Sequence, residues 1–112
     1  MPHDFGVTCW MAIDDATLEN GCMHYIPGTH KLGLIPHKSL GNSHLSPESD
    51  KPFGKEIPAP VRAGGCIFHH LLCLHSSKAN TSPNPRRAWA LHFVNALAEC
   101  PVKPQEKMIQ LR

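Results

Sequence analysis

One segment of the sequence combines a histidine and an arginine in an order that could serve a single ligand. In residues 74–87 (LHSSKANTSPNPRR), His75 closes an apolar run and Arg86 opens the next strand-like stretch. Histidine can ligate a metal through one ring nitrogen, and the planar guanidinium of arginine suits a carboxylate. Because the polar loop between them is short, the chain can return to a neighbouring strand. The segment therefore predicts that His75 and Arg86 contact neighbouring parts of one ligand.

Other residues near this segment admit more than one interpretation. Arg87 is a rival to Arg86, although the spacing favours Arg86. Asn80 is typical of a residue that shapes a loop. His69 and His70 lie inside the apolar run, and neighbouring side chains of a strand point to opposite faces. We interpret both histidines as structural, with one facing a pocket and the other facing away.

Composition limits the class of protein. With 112 residues, 41% hydrophobic and 18% charged, the chain fits one globular domain. It has no apolar run of membrane-spanning length, and Met1-Pro2-His3-Asp4 does not resemble a signal peptide, so we expect a cytoplasmic protein without membrane contacts. The net charge of +2 comes from scattered basic residues, which argues against nucleic acid as a partner.

The cysteines and histidines leave a metal alternative open. No CxxC pair occurs among the five cysteines, so we expect free, buried thiols rather than disulfides or a zinc knuckle; they are Cys9, Cys22, Cys66, Cys73 and Cys100. The nine histidines include a loose series, His24, His30, His37 and His44, which matches no short metal motif. A histidine-based zinc protein therefore stays a weaker hypothesis beside those given below.

Short strands separated by turn-rich loops must position these residues. Alternating and β-branched stretches predict strands at 7–13, 22–26, 61–63, 66–74 and 86–98, the run 66–74 being buried. Residues 29–60 form a polar, proline-rich excursion without helical periodicity, and 101–112 a surface tail. This pattern predicts an all-β fold, an antiparallel β-sandwich or jelly roll.

Three blocks of the sequence together resemble a known family. They are residues 8–16 (TCWMAIDDA), residues 19–30 (ENGCMHYIPGTH), and residues 75–87 following Ala63-Gly64-Gly65. In order and spacing they are similar to the phytanoyl-CoA dioxygenase family, whose blocks read W-x-A-L-D-D, E-N-G-x-L-x-x-I-P-G-S-H and H-x-S-x-x-N-x-S-x-x-x-R. The matches run from Thr8 to Phe93.

The resemblance implies a fold, two cofactors and three site residues. The family fold is a double-stranded β-helix, with 1–112 as the C-terminal part of one domain: core strands in 7–98, a variable loop at 29–60 and a tail at 101–112. The family holds iron(II) through two histidines and a carboxylate, which leaves positions for 2-oxoglutarate and dioxygen; ascorbate is a further candidate cofactor. His75 is similar to the distal iron ligand, Arg86 to the arginine that binds 2-oxoglutarate, and Ser77 to a serine beside its carboxylate.

The sequence departs from the family at the other iron ligands. These come from an H-x-D motif upstream of the first matching block, and His3-Asp4 are adjacent, so their side chains would point apart on a strand. The resemblance thus implies an N-terminally truncated oxygenase that lacks two of its three iron ligands and has little activity on its own. The alternative is a non-catalytic half-barrel that binds or assembles, and unpaired sheet edges would favour self-association.

The expected substrate is a small molecule. The variable loop from Lys31 to Pro60 is expected to select it. A fatty acyl-CoA, a small metabolite and a natural-product scaffold all stay open, because membership of a family does not choose among them.

Overall fold

The computed structural model describes residues 6–41, 44–47 and 52–95. It contains eight strands and one short 3-10 helix, Thr29–Leu32. In chain order the strands are β1 Gly6–Ala12, β2 Met23–Tyr25, β3 His37–Gly41, β4 His44–Pro47, β5 Ile57–Ala59, β6 Cys66–His70, β7 His75–Ser77 and β8 Ala88–Val94.

The strands form two antiparallel three-stranded sheets and a separate hairpin. The first sheet has the order β6-β1-β8, the second has the order β5-β2-β7, and β3 pairs with β4. In the first sheet Trp10 lies opposite Ile67 on one side and Ala90 on the other. In the second sheet Tyr25 lies between Ile57 and His75. No α-helix occurs in the described ranges, so the predicted all-β fold is confirmed.

The core lies between the two sheets. Alternation along β1 sends Thr8, Trp10 and Ala12 to the inner face, where all three are buried. Met23 of β2 packs against them from the second sheet. We call the opposite side of β6-β1-β8 the outer face; its side chains are Val7, Cys9, Met11, Cys66, Phe68, His70, Trp89, Leu91 and Phe93.

Several predicted strands are confirmed and others need correction. The predictions for 7–13 and 22–26 match β1 and β2. The strand predicted at 61–63 lies earlier, at Ile57–Ala59, and Val61 forms only an isolated bridge with Ala16. The run 66–74 is a strand only as far as His70, because the amide of Cys73 bonds back to the carbonyl of His70 in a turn.

The proline-rich excursion at 29–60 is more ordered than its composition indicates. It contains the 3-10 helix and β3, β4 and β5. Pro58 lies in β5, which is an edge strand and therefore tolerates a residue without an N–H donor. The strand predicted at 86–98 is observed as Ala88–Val94, while 96–98 and the predicted tail 101–112 lie outside the described residues.

The cysteines agree only partly with the prediction that they are free and buried. Cys9, Cys22, Cys66 and Cys73 are free, as predicted, and Cys100 lies outside the described residues. The prediction that they are buried is wrong for Cys66, which is exposed because it lies on the outer face. Among the described residues, no helix has the length and apolar character needed to cross a membrane.

Candidate functional site

His75 begins β7, opposite Tyr25 in the register, and its side chain is exposed. Its ring Nδ1 lies 2.8 Å from the carbonyl oxygen of Cys73. A carbonyl oxygen only accepts, so Nδ1 carries the proton and Nε2 keeps its lone pair. A backbone carbonyl that fixes the tautomer in this way is the usual support of a metal-binding histidine. The arrangement is compatible with the predicted role of His75 as a metal ligand through Nε2.

A cluster of aromatic rings surrounds His75 on the inner side. The hydroxyl of Tyr25 and Nδ1 of His69 are joined by a hydrogen bond of 2.9 Å. The ring centroids of His69 and His75 are 4.6 Å apart, and those of Tyr25 and His75 are 5.9 Å apart. His92 also lies on the inner face and shares a hydrogen bond of 2.8 Å with the hydroxyl of Thr8.

Burial keeps Tyr25 and His69 uncharged. Burial, with smaller effects from His75 and His92, lowers the pKa of His69 to about 4. Burial, with a smaller effect from Cys73, raises the pKa of Tyr25 to about 12. Both side chains are therefore neutral near pH 7 and act as hydrogen-bonding groups. The prediction that one of the paired histidines faces inward is confirmed, since His69 is 8% exposed and His70 lies on the outer face.

The two rival arginines have different partners. Arg87 donates from Nε and Nη2 to the two carboxylate oxygens of Asp14, both at 2.9 Å, and its backbone N–H donates to the same carboxylate. Those bonds lower the pKa of Asp14 to about 2. The guanidinium of Arg86 lies 5.5 Å from the ring centroid of Trp10, a core residue between the sheets. Among the described residues no hydrogen bond to Arg86 is found, whereas Arg87 is bonded to Asp14.

Ser77 shares the inner side of β7 with His75, because residues two apart on a strand point the same way. Ser76 between them points outward and donates to Glu56 over 3.0 Å. That bond, and a weaker contact from Lys78, lowers the pKa of Glu56. The structure thus places His75 and Ser77 on the same side of β7 and Arg86 against the core residue Trp10, although their roles towards iron and 2-oxoglutarate stay predictions.

The block at residues 19–21 supports the loop that leads to Arg86. The Asn20 side chain is buried, donates to the carbonyl of Asp15 over 2.6 Å and accepts from the amide of Thr17 over 2.7 Å. Gly21 has a φ of 96°, and a Cβ there would lie 2.6 Å from the carbonyl oxygen of Lys78. The predicted role of this block in building a turn is confirmed, and the turn also contacts the loop.

Asn80 shapes the same loop, as predicted. Its amide nitrogen donates to the carbonyl of Asn84 over 2.7 Å, and its side-chain oxygen accepts from the amide of Ser82 over 2.9 Å. Both bonds stay within the loop. They hold its exposed tip in one conformation between His75 and Arg86.

A cavity of about 730 Å³ lies beside His75 and Ser77. Its other walls come from the turn at 71–74 and from residues 33–37. Several wall residues are apolar, Leu34, Ile35 and Leu72 among them, and the polar ones are His37 and the three residues of β7. A cavity of this size suits a small organic molecule.

The donor set of the described residues falls short of a three-ligand iron site. No three histidine, cysteine, aspartate or glutamate side chains are arranged to hold a metal ion within 6–41, 44–47 and 52–95. His75 would supply one donor of the three, and His3 and Asp4, whose spacing does not fit the H-x-D motif, lie outside these ranges. The histidines of the zinc hypothesis form no such group within those ranges either, although His24 and His37 make the same bond from Nδ1 to a backbone carbonyl as His75 does.

Comparison with known proteins decides the family. The family profile described as phytanoyl-CoA dioxygenase matches residues 1–88. The chain belongs to the phytanoyl-CoA dioxygenase family. The phytanoyl-CoA dioxygenase domain-containing protein 1 of Rattus norvegicus is 37% identical over 94 residues, which are 78% of this chain and 32% of that protein. The chain therefore spans about a third of the length of such relatives.

Solved structures of the same fold support this membership. EvdO2 from Micromonospora carbonacea var. aurantiaca, complexed with 2-oxoglutarate, has a TM-score of 0.73 and 31% identity, over 95% of this chain and 46% of that one. The epimerase SnoN, in complex with Fe3+, alpha ketoglutarate and nogalamycin RO, has a TM-score of 0.67 and 29% identity, over 86% of this chain and 38% of that one. The fold is thus that of 2-oxoglutarate oxygenases, as a partial double-stranded β-helix.

Two features of the site were not predicted from the sequence. One is the hydrogen bond between Tyr25 and His69. The other is the set of contacts that Asn20, Gly21 and Thr29 make with residues 74–87. Both features join residues that are distant in the chain. The inward position of one of these two residues could have been predicted, because His69 and His70 are neighbours in an apolar run and alternation must send one of them inward. Nothing in the sequence indicates that Tyr25 is its partner.

Proposed function

We propose that this chain is part of an iron(II)- and 2-oxoglutarate-dependent dioxygenase. It would supply the distal iron ligand and the residues that bind the co-substrate. His75 would bind iron through Nε2, and Arg86 and Ser77 would bind the 2-oxoglutarate carboxylate. One observation carries the proposal. Arg86 has no acidic partner among the described residues and lies against the ring of the core residue Trp10, whereas Arg87 is held by Asp14.

The residues around the site support binding and orientation of an anionic co-substrate. The Trp10 ring supports the guanidinium of Arg86 from one side, which restricts its orientation before a carboxylate arrives. Ser77 can add a hydroxyl hydrogen bond to the same carboxylate. The neutral His69 and Tyr25 bring no positive charge against the His75 ring, so they do not oppose a cation at Nε2.

Iron binding needs two donors beyond His75. Because the described residues offer one, we propose that the 112 residues alone bind iron(II) weakly and turn over slowly, and that the activity belongs to a domain that includes an H-x-D motif. The proposed reaction class is hydroxylation coupled to decarboxylation of 2-oxoglutarate.

The substrate is proposed to be a small molecule that occupies the cavity beside His75. The volume of the cavity, about 730 Å³, is sufficient for a small organic molecule. One wall of the cavity comes from residues 33–37 of the variable loop, which supports the proposal that this loop selects the substrate. Relatives with the same fold bind small molecules, as SnoN does nogalamycin RO. The free thiols support a cytoplasmic location, which we also propose and which cell fractionation tests.

An anaerobic titration of the purified chain with iron(II) and 2-oxoglutarate tests the proposal, with the weak visible charge-transfer band of the chelate as the signal. We expect a band only at high iron(II) concentration, its loss in His75→Ala and in Arg86→Ala, and its retention in His37→Ala, a cavity-lining control. A band of unchanged strength in His75→Ala would contradict the proposed ligand. Tight iron binding by the unaltered chain would contradict the proposed shortage of donors.

The second candidate is a half-barrel that binds without catalysis. The free guanidinium of Arg86 favours it, because a carboxylate can bind there without any metal. Calorimetric titration with 2-oxoglutarate in the presence of a chelator separates the two. Equal affinity with and without iron(II) would favour the binding module, whereas affinity that rises with iron(II) would favour the oxygenase.

A further inference from the structure

Asp14 lies two residues after the end of β1 and forms its ion pair with Arg87, not with Arg86. The register of the strands predicts a different pair. Ala12, the last residue of β1, lies opposite Ala88, so the same pairing continued by two residues would place Asp14 opposite Arg86. A carboxylate there would bond to the Arg86 guanidinium and take the donors that a carboxylate ligand needs. The position of Asp14 therefore affects what Arg86 can bind.

A local irregularity of the pairing explains the position of Asp14. The amides of Ile13 and Asp14 both donate to the carbonyl of Arg87, over 3.0 and 3.3 Å. Two residues of one segment thus oppose one residue of the other, which is the arrangement of a β-bulge. Bulges change the direction of a side chain and are frequent next to active sites. Here the extra residue brings the Asp14 carboxylate to the backbone N–H and the guanidinium of Arg87.

The next residue, Asp15, also has other partners. Its carboxylate accepts from the amide of Ala63 over 2.7 Å, and its backbone carbonyl accepts from the side chain of Asn20 over 2.6 Å. Both aspartates that follow β1 are therefore bonded to groups other than Arg86. The segment carries two negative charges, and neither of them is paired with the Arg86 guanidinium.

The bulge also restrains the backbone next to Arg86. The N–H of Arg87 donates to the Asp14 carboxylate over 2.8 Å, and its carbonyl accepts the two amides of the bulge. On the other side of Arg86, the ring of Pro85 restricts the backbone. Arg86 lies between these two restrained residues. Its side chain is half-buried, and its guanidinium lies 5.5 Å from the ring centroid of Trp10.

We propose that Asp14 is a positioning residue for Arg86. By binding Arg87 from the bulge, its carboxylate holds the adjacent backbone in place and stays away from the Arg86 guanidinium. Arg86 then remains against Trp10 and can bind the carboxylate of an anionic ligand. The positioning concerns the residues of this chain alone, whereas the identity of the ligand as 2-oxoglutarate rests on the proposed function.

A positioning role and a purely electrostatic role predict opposite results for Asp14→Ala. The Asp14 carboxylate repels an anion near Arg86, so its removal should by itself strengthen the binding of 2-oxoglutarate. Loss of positioning should instead weaken binding, and we expect a dissociation constant about 10-fold higher. Asp14→Asn loses the same charge but keeps an oxygen that can accept from the Arg87 N–H, so it should bind at least as tightly as the unaltered chain.

Calorimetric titration with 2-oxoglutarate in the presence of a chelator measures these dissociation constants without iron. The titrations are run well below the melting temperature of each variant, so that a loss of stability does not lower the folded fraction. Glu19→Ala is the control, since it removes a carboxylate that makes no bond to the described residues and should not weaken binding. Weaker binding in Asp14→Ala alone supports the positioning role.

NMR relaxation of the arginine Nε nuclei tests the positioning without any ligand. We expect Arg86 to be ordered in the unaltered chain, and the exposed side chain of Arg62 to have an order parameter below about 0.6. The Arg86 order parameter should fall towards that of Arg62 in Asp14→Ala and be retained in Asp14→Asn. The resonance that disappears in Arg86→Lys identifies the signal.

The two measurements separate the positioning from the proposed function. An Arg86 that becomes mobile in Asp14→Ala, in a chain that binds no 2-oxoglutarate, supports the positioning and contradicts the proposed co-substrate. Binding that Asp14→Ala leaves unchanged or strengthens overturns the positioning and leaves the co-substrate in place. An Arg86 as mobile as Arg62 in the unaltered chain also overturns the positioning, and this result is obtained even if Asp14→Ala does not fold.

Discussion

The hydroxyl of Thr29 accepts a hydrogen bond from the backbone N–H of Leu74 over 2.9 Å, one residue before His75. The same hydroxyl donates to the carbonyl of Ile26 over 2.7 Å, and Thr29 is 2% exposed. One buried side chain thus joins the turn after β2 to the turn before β7. The block at residues 27–30 therefore holds the start of the strand that carries the proposed iron ligand.

Replacement of Thr29 by valine keeps its shape and removes both bonds. The Leu74 N–H would be left buried without a partner, so we expect Thr29→Val to lower the free energy of unfolding by about 1–3 kcal/mol. Hydrogen exchange at the Leu74 amide should accelerate, and urea denaturation measures the stability. Thr81→Val removes an exposed hydroxyl that donates to Glu19 and serves as the matched control, with a smaller loss. Equal losses in the two variants would argue against the proposed junction.

Gly21 is constrained both by its dihedral angle and by a close neighbour. Alanine there would adopt a φ of 96° and place its Cβ 2.6 Å from the carbonyl oxygen of Lys78. The strained dihedral alone costs about 1–3 kcal/mol, and the backbone clash must add to it. We therefore expect Gly21→Ala to unfold at a clearly lower urea concentration than the unaltered chain.

Gly64 supplies the control for this prediction. It has a φ of 85°, and a Cβ there would meet nothing within 4 Å, so Gly64→Ala measures the dihedral strain without the clash. The difference between the two variants isolates the contact between Gly21 and the loop after β7. No difference would show that the loop moves aside at little cost.

The pair of Asp14 and Arg87 should make stability depend on pH at acidic values. Arg87 lowers the pKa of Asp14 from 3.8 to about 2, so the folded state favours the carboxylate. The stabilisation is therefore complete above the unfolded pKa near 3.8 and is lost as the pH falls through about 2. We expect Asp14→Asn to melt below the unaltered chain at pH 6, and the two to converge towards pH 2.

Thermal melts between pH 2 and pH 6 measure this convergence. Glu19→Gln is the control, since its carboxylate makes no bond to the described residues. The gap between that variant and the unaltered chain should stay small throughout. A gap for Asp14→Asn that persists unchanged at pH 2 would refute the electrostatic account.

The two neighbouring arginines should separate function from stability. Lysine cannot reproduce the two-pronged contact of arginine with a carboxylate. We expect Arg86→Lys to weaken 2-oxoglutarate binding about 10-fold with little change in melting temperature. Arg87→Lys should lower the melting temperature slightly, because its pair with Asp14 is largely exposed, and leave binding intact.

Calorimetric titration and thermal melts on the same preparations provide both readouts. The reverse pattern, with binding lost in Arg87→Lys alone, would indicate that Arg87 and not Arg86 binds the 2-oxoglutarate carboxylate. Loss of binding in both variants would indicate that Arg87 acts through the position of its neighbour.

The strands that build the interior could be predicted from local pattern. β1 and β2 carry β-branched and aromatic residues between turn signals, and such patterns depend only on nearby residues. The strands within 29–60 were not predicted, because prolines argue against a strand unless they lie in an edge strand. Pro58 occupies such an edge in β5, and edge positions are settled by pairing with distant residues.

The sequence indicated the residues of the candidate site, whose roles stay predictions, but not their environment. The spacing of His75 and Arg86 drew attention to both, yet the choice between Arg86 and Arg87 follows from Asp14, which lies far away in the chain. Likewise, alternation shows that His69 and His70 face opposite ways, and only the packing of the second sheet shows that His69 is the inner one. Contacts between sheets are the information that local pattern lacks.

The register of β8 also determines how freely the loop before it can change. Ala88 pairs with Ala12 directly after the two arginines, so the faces of Arg86 and Arg87 are set by the strand and not by the length of the loop. Insertions at the exposed tip, residues 82–84, would lengthen the interval from His75 and leave the inward arginine in place. If Arg86 has its proposed role, counting back from the start of β8 locates the corresponding arginine even where the loop differs in length.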